Sequence, residues 1–569
     1  VISRLVLALS FLLSAPAAPP EIEWQGGCPV AVPSGTRCGF LVVPERRDRP
    51  GKTIKVGFAR FSSPSIRRKS DPVVFTAGGP GAATSQLIGT LRQMFPDRDV
   101  IALEQRGSRF SRPSLGCPEA VTRLLDHLIP PSGSGEPPPE TCLGRLREEG
   151  VDLRGYTTEE IAADVVDLRQ ALGYPQWNLF GVSYSTRSML RAAALDPEGT
   201  RAVVLDSFLP ESVAWYDDAE RNLLDVMAAL GVRERFERLA ARLDAAPLFV
   251  EAPDPLTEGR LTLTLSGGDL MTILGEAIRD ARVAAALPAL IDALEHGRRE
   301  VLQPILDRAA PALTSYDWGL YHAVQCQDEV PFNEFAAEPR LFTALEDRRT
   351  CKEWKLKASK PAEASTEAPV LVVSGTLDPT TPSRTARPAA GRLPAARFVE
   401  FPGVGHGVFL TSVCGQRTIA AFVADPAAPA AAPCPAPYER VEAGDVHLTA
   451  APYRLMSEPW LAAPLALFAL IAVLQLVAGG GHGWALTAFA GLSGLAFAGL
   501  TLQIVYGQLE ENEVVLALGV PAAVWPVTWL AILSVLLSAL SLRFRRRWPQ
   551  ITSAVVGAGF LIWWFVWAM

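Results

Sequence analysis

A serine, an aspartate and a histidine stand apart in this chain because each lies among small or rigid residues where a strand-like run ends. Ser183 sits in Phe180-Gly181-Val182-Ser183-Tyr184-Ser185, between an apolar run at 177–180 and a helix-like run at 186–195. Strand, sharp turn, small neighbours and helix form the pattern of a nucleophile elbow, where bulky flanking side chains would clash with strand and helix. Asp378 lies in Gly375-Thr376-Leu377-Asp378-Pro379-Thr380-Thr381-Pro382, after a buried-looking run, in a loop that two prolines stiffen. His406 lies in Gly403-Val404-Gly405-His406-Gly407, after the last such run. Hydroxyl, imidazole and carboxylate are the parts of an acyl-transfer site: a nucleophile, a base to take its proton, and a group to orient the base. The chain has six histidines. His127, His296 and His322 read as structural, and His447 and His482 fall in a linker and a membrane loop. Asp206, after the run at 201–205, competes with Asp378 for the orienting role.

The oxyanion of such a reaction needs backbone N–H donors. Tyr184, directly after the nucleophile, offers one. Gly79 offers another within Gly78-Gly79-Pro80-Gly81, where the missing side chains let the backbone approach a substrate oxygen. The elements that must position these groups follow from periodicity. Short β-branched and aromatic runs at 55–61, 72–76, 99–103, 201–205, 369–374 and 397–401 read as strands. Between them, 157–172 carries Ile161, Val165, Leu168 and Leu172 at helical spacing behind an acidic first turn. Strands alternating with helices imply a mostly parallel sheet covered on both faces. Ser183, Asp378 and His406 all fall at carboxyl ends of predicted strands, where open α/β sheets place their sites. Their chain order, Ser then Asp then His, is that of α/β-hydrolases. From 208 to 365 helical runs dominate, at 222–230, 269–278, 283–294 and 338–345, with a strand signal only at 259–265. This stretch reads as a helical cap.

At 569 residues the chain exceeds one ordinary domain, and a net charge of −7 leaves no basic footprint for nucleic acid. The mean hydropathy of +0.19 is high for a soluble protein. Four runs at 460–477, 484–505, 514–542 and 551–569 are long and apolar enough to span a bilayer. Trp460, Trp484, Trp525, Trp529 and Trp548 lie near their ends, as interface aromatics do. Arg543, Arg545, Arg546 and Arg547 place the loop before the last span in the cytoplasm, so everything before Trp460 should lie outside. Residues 1–18 read as a secretory signal: Arg4, the apolar run 5–13, then Ala15-Pro16-Ala17. Export makes disulfides of the eight cysteines. Spacing suggests nearest-neighbour closure, Cys28 with Cys38, Cys117 with Cys142, Cys326 with Cys351 and Cys414 with Cys434, although other connectivities stay open. No C-x-x-C and no ligand-spaced histidine occurs, so no metal or cofactor is expected. The organisation is thus a signal, a hydrolase core in two parts (21–207 and 366–425) around a cap (208–365), an Ala/Pro-rich linker (426–458) and four transmembrane helices (459–569).

Together, GGPG at 78–81, EQRG at 104–107, GVSYS at 181–185, GTLDPTTP at 375–382 and GVGHG at 403–407 resemble the exported tripeptidyl aminopeptidases, relatives of prolyl iminopeptidase within the α/β-hydrolases. The likeness spans 28–434, including the cysteine spacing, and leaves the membrane runs outside it. Two positions depart: the family usually has Asp where Glu104 stands and Gly where Ser185 stands. The resemblance implies an exopeptidase that releases residues from peptide amino termini. Such an enzyme holds the substrate ammonium with cap carboxylates. Asp328 and Glu329 are the best candidates for that, with Glu211 weaker. A carboxylesterase or lipase would share the triad without the ammonium site, and a non-catalytic membrane receptor or scaffold could use the same fold.

Overall fold

Apolar strands buried on both faces build the centre of the molecule. The computed structural model describes residues 20–49, 51–129, 141–359, 363–429, 433–481, 484–544 and 548–569. The signal-like segment, the Pro-rich 130–139 and Arg545, Arg546 and Arg547 lie outside the described residues. The first seven strands are β1 (Glu21–Trp24), β2 (Thr36–Pro44), β3 (Thr53–Phe61), β4 (Val73–Thr76), β5 (Val100–Leu103), β6 (Trp177–Val182) and β7 (Thr200–Asp206). A hairpin, β8 (Leu248–Pro253) and β9 (Arg260–Leu265), precedes β10 (Val370–Gly375) and β11 (Ala396–Phe401). The main sheet has nine strands in the order β1-β2-β3-β5-β4-β6-β7-β10-β11. From β5 to β11 every pairing is parallel, and β1, β2 and β3 extend that edge antiparallel.

Alternation along the parallel strands sends successive side chains to opposite faces. Val74, Leu179, Val203 and Val372 meet the helices Thr158–Leu172 and Ser185–Leu195 on one face. Phe75, Phe180, Val204 and Val373 meet Ile88–Met94 and Val413–Ala424 on the other. There Phe75, Phe180 and Phe409 pack edge to face with ring centroids 5.1–5.4 Å apart. Phe409 belongs to the turn after His406, so this aromatic cluster fastens a candidate functional loop to the sheet.

The cap runs between β7 and β10. It holds helices Trp215–Ala229, Arg233–Ala245, Gly267–Ala277, Ala281–Glu295, Gln303–Leu313, Trp318–Asp328 and Phe342–Trp354, with the β8–β9 hairpin. The sequence pattern singles out the second hairpin strand only; in the first, Val250 and Ala252 are buried and Phe249 and Glu251 exposed. The disulfides join Cys28 to Cys38, Cys117 to Cys142, Cys326 to Cys351 and Cys414 to Cys434.

Four helices are long and apolar enough to cross a membrane: Pro459–Gly481, Ala485–Asn512, Val524–Phe544 and Trp548–Ala568. The third starts later than the sequence run at 514–542 suggests. Val514–Leu518 is a separate short helix, and Gly519–Pro521 forms a strand, β13, paired antiparallel with β12 (Val446–Leu448). Pro521 has no N–H with which to continue a helix, and Gly519 takes an extended backbone, so the apolar run breaks there.

Truncating Phe180, fully buried in the aromatic cluster, to alanine is expected to cost about 3–5 kcal/mol. The thermal midpoint of the detergent-solubilised chain reads this, and an unchanged midpoint would contradict the packing described.

Candidate active site

Ser183 follows the last residue of β6 and precedes the helix Ser185–Leu195, so it occupies the turn itself. Its φ of 59° lies in the left-handed region, which costs a non-glycine residue about 1–3 kcal/mol. The surroundings hold it there: its N–H donates to the Asp206 carbonyl at 2.9 Å. The departure at Ser185 has a structural reason. Its hydroxyl accepts from Val182 N–H at 2.8 Å and donates to the Thr76 carbonyl at 2.8 Å, tying the elbow to β4. Gly78 is pressed against the serine; a Cβ on it would fall 2.9 Å from the Ser183 Cβ.

Asp378 and His406 meet. The imidazole Nδ1 lies 2.8 Å and 3.0 Å from the two carboxylate oxygens. A carboxylate only accepts, so Nδ1 carries the proton, and in the neutral ring Nε2 is the basic nitrogen. That Nε2 is buried and has no hydrogen-bond partner. Asp378 also accepts from Thr380 N–H at 2.8 Å, Thr381 N–H at 2.9 Å and the Thr381 hydroxyl at 2.8 Å. Burial alone would raise its pKa, but His406 beside it and these donors hold the carboxyl well below its usual range.

Asp206 does not orient the imidazole. Its carboxylate accepts from the N–H groups of Val408 and Phe409 at 2.8 Å each, while its carbonyl accepts from Ser183. The neighbouring Ser207 hydroxyl accepts from Gly407 N–H at 2.8 Å. The histidine turn and the serine elbow therefore hang on the same two residues at the end of β7. Burial pushes Asp206 up to about 7 against these donors, with the nearby Asp378 charge adding to the rise.

The glycine-rich turn at 78–81 is braced from below by residues the motif EQRG supplies. Gln105 accepts from Gly81 N–H at 3.0 Å and donates to the Ala77 carbonyl at 2.8 Å. Glu104 accepts from Thr84 N–H, Ser85 N–H and the Ser85 hydroxyl at 3.1, 2.8 and 2.6 Å. Arg106 is buried against Asp164 at 2.5 and 2.7 Å. The sequence pattern gives these positions no separate role, although the motif marks them. Tyr184 stands where the elbow helix begins, a place where N–H groups lack intrahelical partners.

Asp328 and Glu329 close the cap helix Trp318–Asp328 and face the elbow helix. Glu329 is ion-paired with Arg187 and accepts from Trp215 N–H at 3.0 Å, so its charge is already matched. Asp328 Oδ2 accepts from Thr158 N–H at 2.6 Å, but its buried Oδ1 has no partner. Burial pushes Asp328 up to about 7. The Thr158 hydroxyl bonds Tyr184 OH at 2.9 Å, linking this cluster to the residue after the serine. Glu211 approaches Arg187 at 3.5 Å. A cavity of about 210 Å³ opens beside Arg187 and Glu211, and Ser183, Asp378 and His406 do not line it. Cys117, Glu119 and Cys142 converge, yet the two sulfurs are bonded to each other, which removes the thiolates a metal would need.

Residues 71–413 match the family described as alpha/beta hydrolase fold. The serine protease Hip1 of Mycobacterium tuberculosis is 25% identical over 482 residues, covering 72% of this chain and 90% of that protein. A tripeptidyl aminopeptidase of Streptomyces lividans is 24% identical over 451 residues, covering 70% and 83%. A proline iminopeptidase of Heyndrickxia coagulans is 26% identical over 184 residues, covering 32% and 49%.

Because Asp206 is raised toward 7 in the fold and ordinary when unfolded, the fold binds its proton more tightly. Its contribution is present in full below the unfolded value and is lost as pH rises through about 7. Asp206→Asn is expected to lose less stability than the parent chain between pH 5 and pH 8, read by thermal midpoints across that range; equal losses would contradict the shift.

Proposed function

The chain belongs to the alpha/beta hydrolase fold family, and from that premise we propose that it is a serine exopeptidase acting on peptide amino termini outside the cytoplasm. Ser183 attacks the carbonyl carbon of the scissile bond. His406 Nε2 takes the hydroxyl proton and returns it to the leaving amine, and Asp378 holds the tautomer and stabilises the imidazolium. The N–H groups of Tyr184 and Gly79 serve the oxyanion. Water then releases the acyl group from Ser183 by the same steps in reverse roles. The observation that carries this reading is His406, bonded to Asp378 through Nδ1 with a buried Nε2 that has no partner. The similar serine protease and tripeptidyl aminopeptidase support peptides as the substrate class.

The acidic cluster supports a free amino terminus as the recognised group. Asp328 lies in the same cluster as the buried Arg187–Glu329 ion pair and keeps one buried oxygen, Oδ1, without a partner. An ammonium beside Asp328 would supply a donor for Oδ1. On this reading Asp328 is the anchor, and Glu329 acts with Arg187 as its frame.

The four apolar helices support a multi-pass protein of the cytoplasmic membrane, and the disulfides support an oxidising compartment for the rest. Arginines at 543 and 545–547 favour a cytoplasmic loop there, hence a periplasmic or extracellular core (21–207 and 366–425) and cap (208–365), exported by the segment at 1–18 and joined to the membrane by the linker at 426–458.

A panel of peptidyl and aminoacyl amides, with free or acetylated amino termini, and acyl esters tests the proposal on the purified full chain. Amides with a free amine are expected to turn over, acetylation to suppress them, and Ser183→Ala to abolish activity. Asp378→Asn is expected to lower kcat by about 10⁴-fold. Turnover of esters alone would leave a carboxylesterase, and no turnover of any substrate by folded protein would leave a scaffold.

A further inference from the structure

The turn that carries His406 rests on the cap. His406 N–H donates to the Arg279 carbonyl at 2.9 Å. Gly405 lies so close that a Cβ on it would fall 2.3 Å from the same oxygen. Arg279 belongs to the joint at 278–280 between cap helices Gly267–Ala277 and Ala281–Glu295. Asp280 caps the second of these helices, accepting from Arg282 N–H at 3.0 Å.

The same joint is held from its far side by the membrane region. The Arg282 guanidinium donates to the Asp280 oxygens at 3.0 and 2.7 Å and to Glu513 at 2.7 Å. Asn512, at the end of the second apolar helix, donates to the Arg282 carbonyl at 3.0 Å. Next to them, Val515 and Leu518 are buried in the cluster formed by Val283, Ala286 and Leu290 of the cap. The strand after them, β13, is fixed by its pairing with β12. A continuous set of contacts thus runs from the second apolar helix, through one turn of the cap, to the backbone of His406.

We propose that the loop between the second and third apolar helices is a positioning element for His406. It holds the first turn of Ala281–Glu295, and with it the Arg279 carbonyl, against the histidine turn. The proposal rests on His406 being the general base. The half-exposed Arg282–Glu513 pair is weak by itself, so the buried Val515 and Leu518 carry the hold and the polar contacts set its register. A base displaced by a fraction of an ångström from its nucleophile loses rate without losing the fold. This also gives several spans a task where one would anchor the domain.

The test uses the full chain in detergent or lipid nanodiscs. Competent serines are counted by labelling with a fluorophosphonate to completion, and kcat is expressed per labelled serine. Val515→Asp/Leu518→Asp is expected to label fully but slowly, with kcat per labelled serine lower by about tenfold or more and KM little changed. Leu518→Ala, which keeps the face apolar, is expected to move kcat the same way by less, and remains informative where the double variant does not fold. Leu518→Ile, which keeps the buried volume, is expected to keep the parent rate. An unchanged kcat per labelled serine in Leu518→Ala, with any loss confined to the labelled fraction, would overturn the positioning role. His406→Ala separates the two readings: parent-level turnover in that variant would overturn the base assignment instead.

Discussion

Two oxygen-bearing ends of one residue hold the candidate site together. The Asp206 carbonyl takes the N–H of Ser183, and its carboxylate takes the N–H groups of Val408 and Phe409, just past His406. Serine and histidine lie more than two hundred residues apart in the chain, with the whole cap between them. Both are nevertheless referred to the end of a single buried strand, β7. The strained φ of Ser183 persists because this bond, the Ser185 hydroxyl and the sheet over-determine it.

Buried carboxylates take different tasks here according to their partners. Asp378, surrounded by an imidazole and three hydroxyl or N–H donors, stays ionised and suits a neighbour that becomes cationic. Asp206, deeply buried, has two backbone N–H donors and the Ser207 hydroxyl but no cationic partner, and rises toward neutrality, which fits a scaffold role. Glu329 is neutralised by Arg187, whereas Asp328 keeps an unmet oxygen in the same cluster. The carboxylate with an unmatched oxygen is the one that an incoming cation would satisfy, so under the proposed function recognition of a free amine would come from what the fold leaves unpaired.

Much of this was legible in residue types and spacing. The strands that carry the site are short, apolar and bounded by glycine or proline, and Ser183 two residues after Gly181, the glycine-flanked His406 and the proline-braced Asp378 mark their ends. Period alone could not assign Asp206, because a carboxylate after a strand can orient an imidazole or cap a turn, and only the fold decides which. Gln105 was visible in a motif but its task was not, since it acts by spanning a loop twenty-four positions earlier. The break at Gly519 and Pro521 was hidden inside an apolar run whose average hydropathy reads as one span. That break frees the segment that reaches the cap, so a third span expected to begin at 514, where the helix begins at Val524, concealed a contact between two regions.

The cap meets the histidine turn through Arg279, the end of the second apolar helix and the loop after it brace that part of the cap, and the serine elbow meets the turn from the sheet side. The central claim is that these supports serve covalent chemistry at Ser183. Quenching the full chain in acid during turnover of an activated peptidyl ester, then locating the bound acyl group by peptide mass, tests this most directly. The account predicts an acyl group on the peptide that contains Ser183, appearing with turnover and decaying when substrate is exhausted. Turnover with no adduct, or an adduct on any other residue, would contradict it.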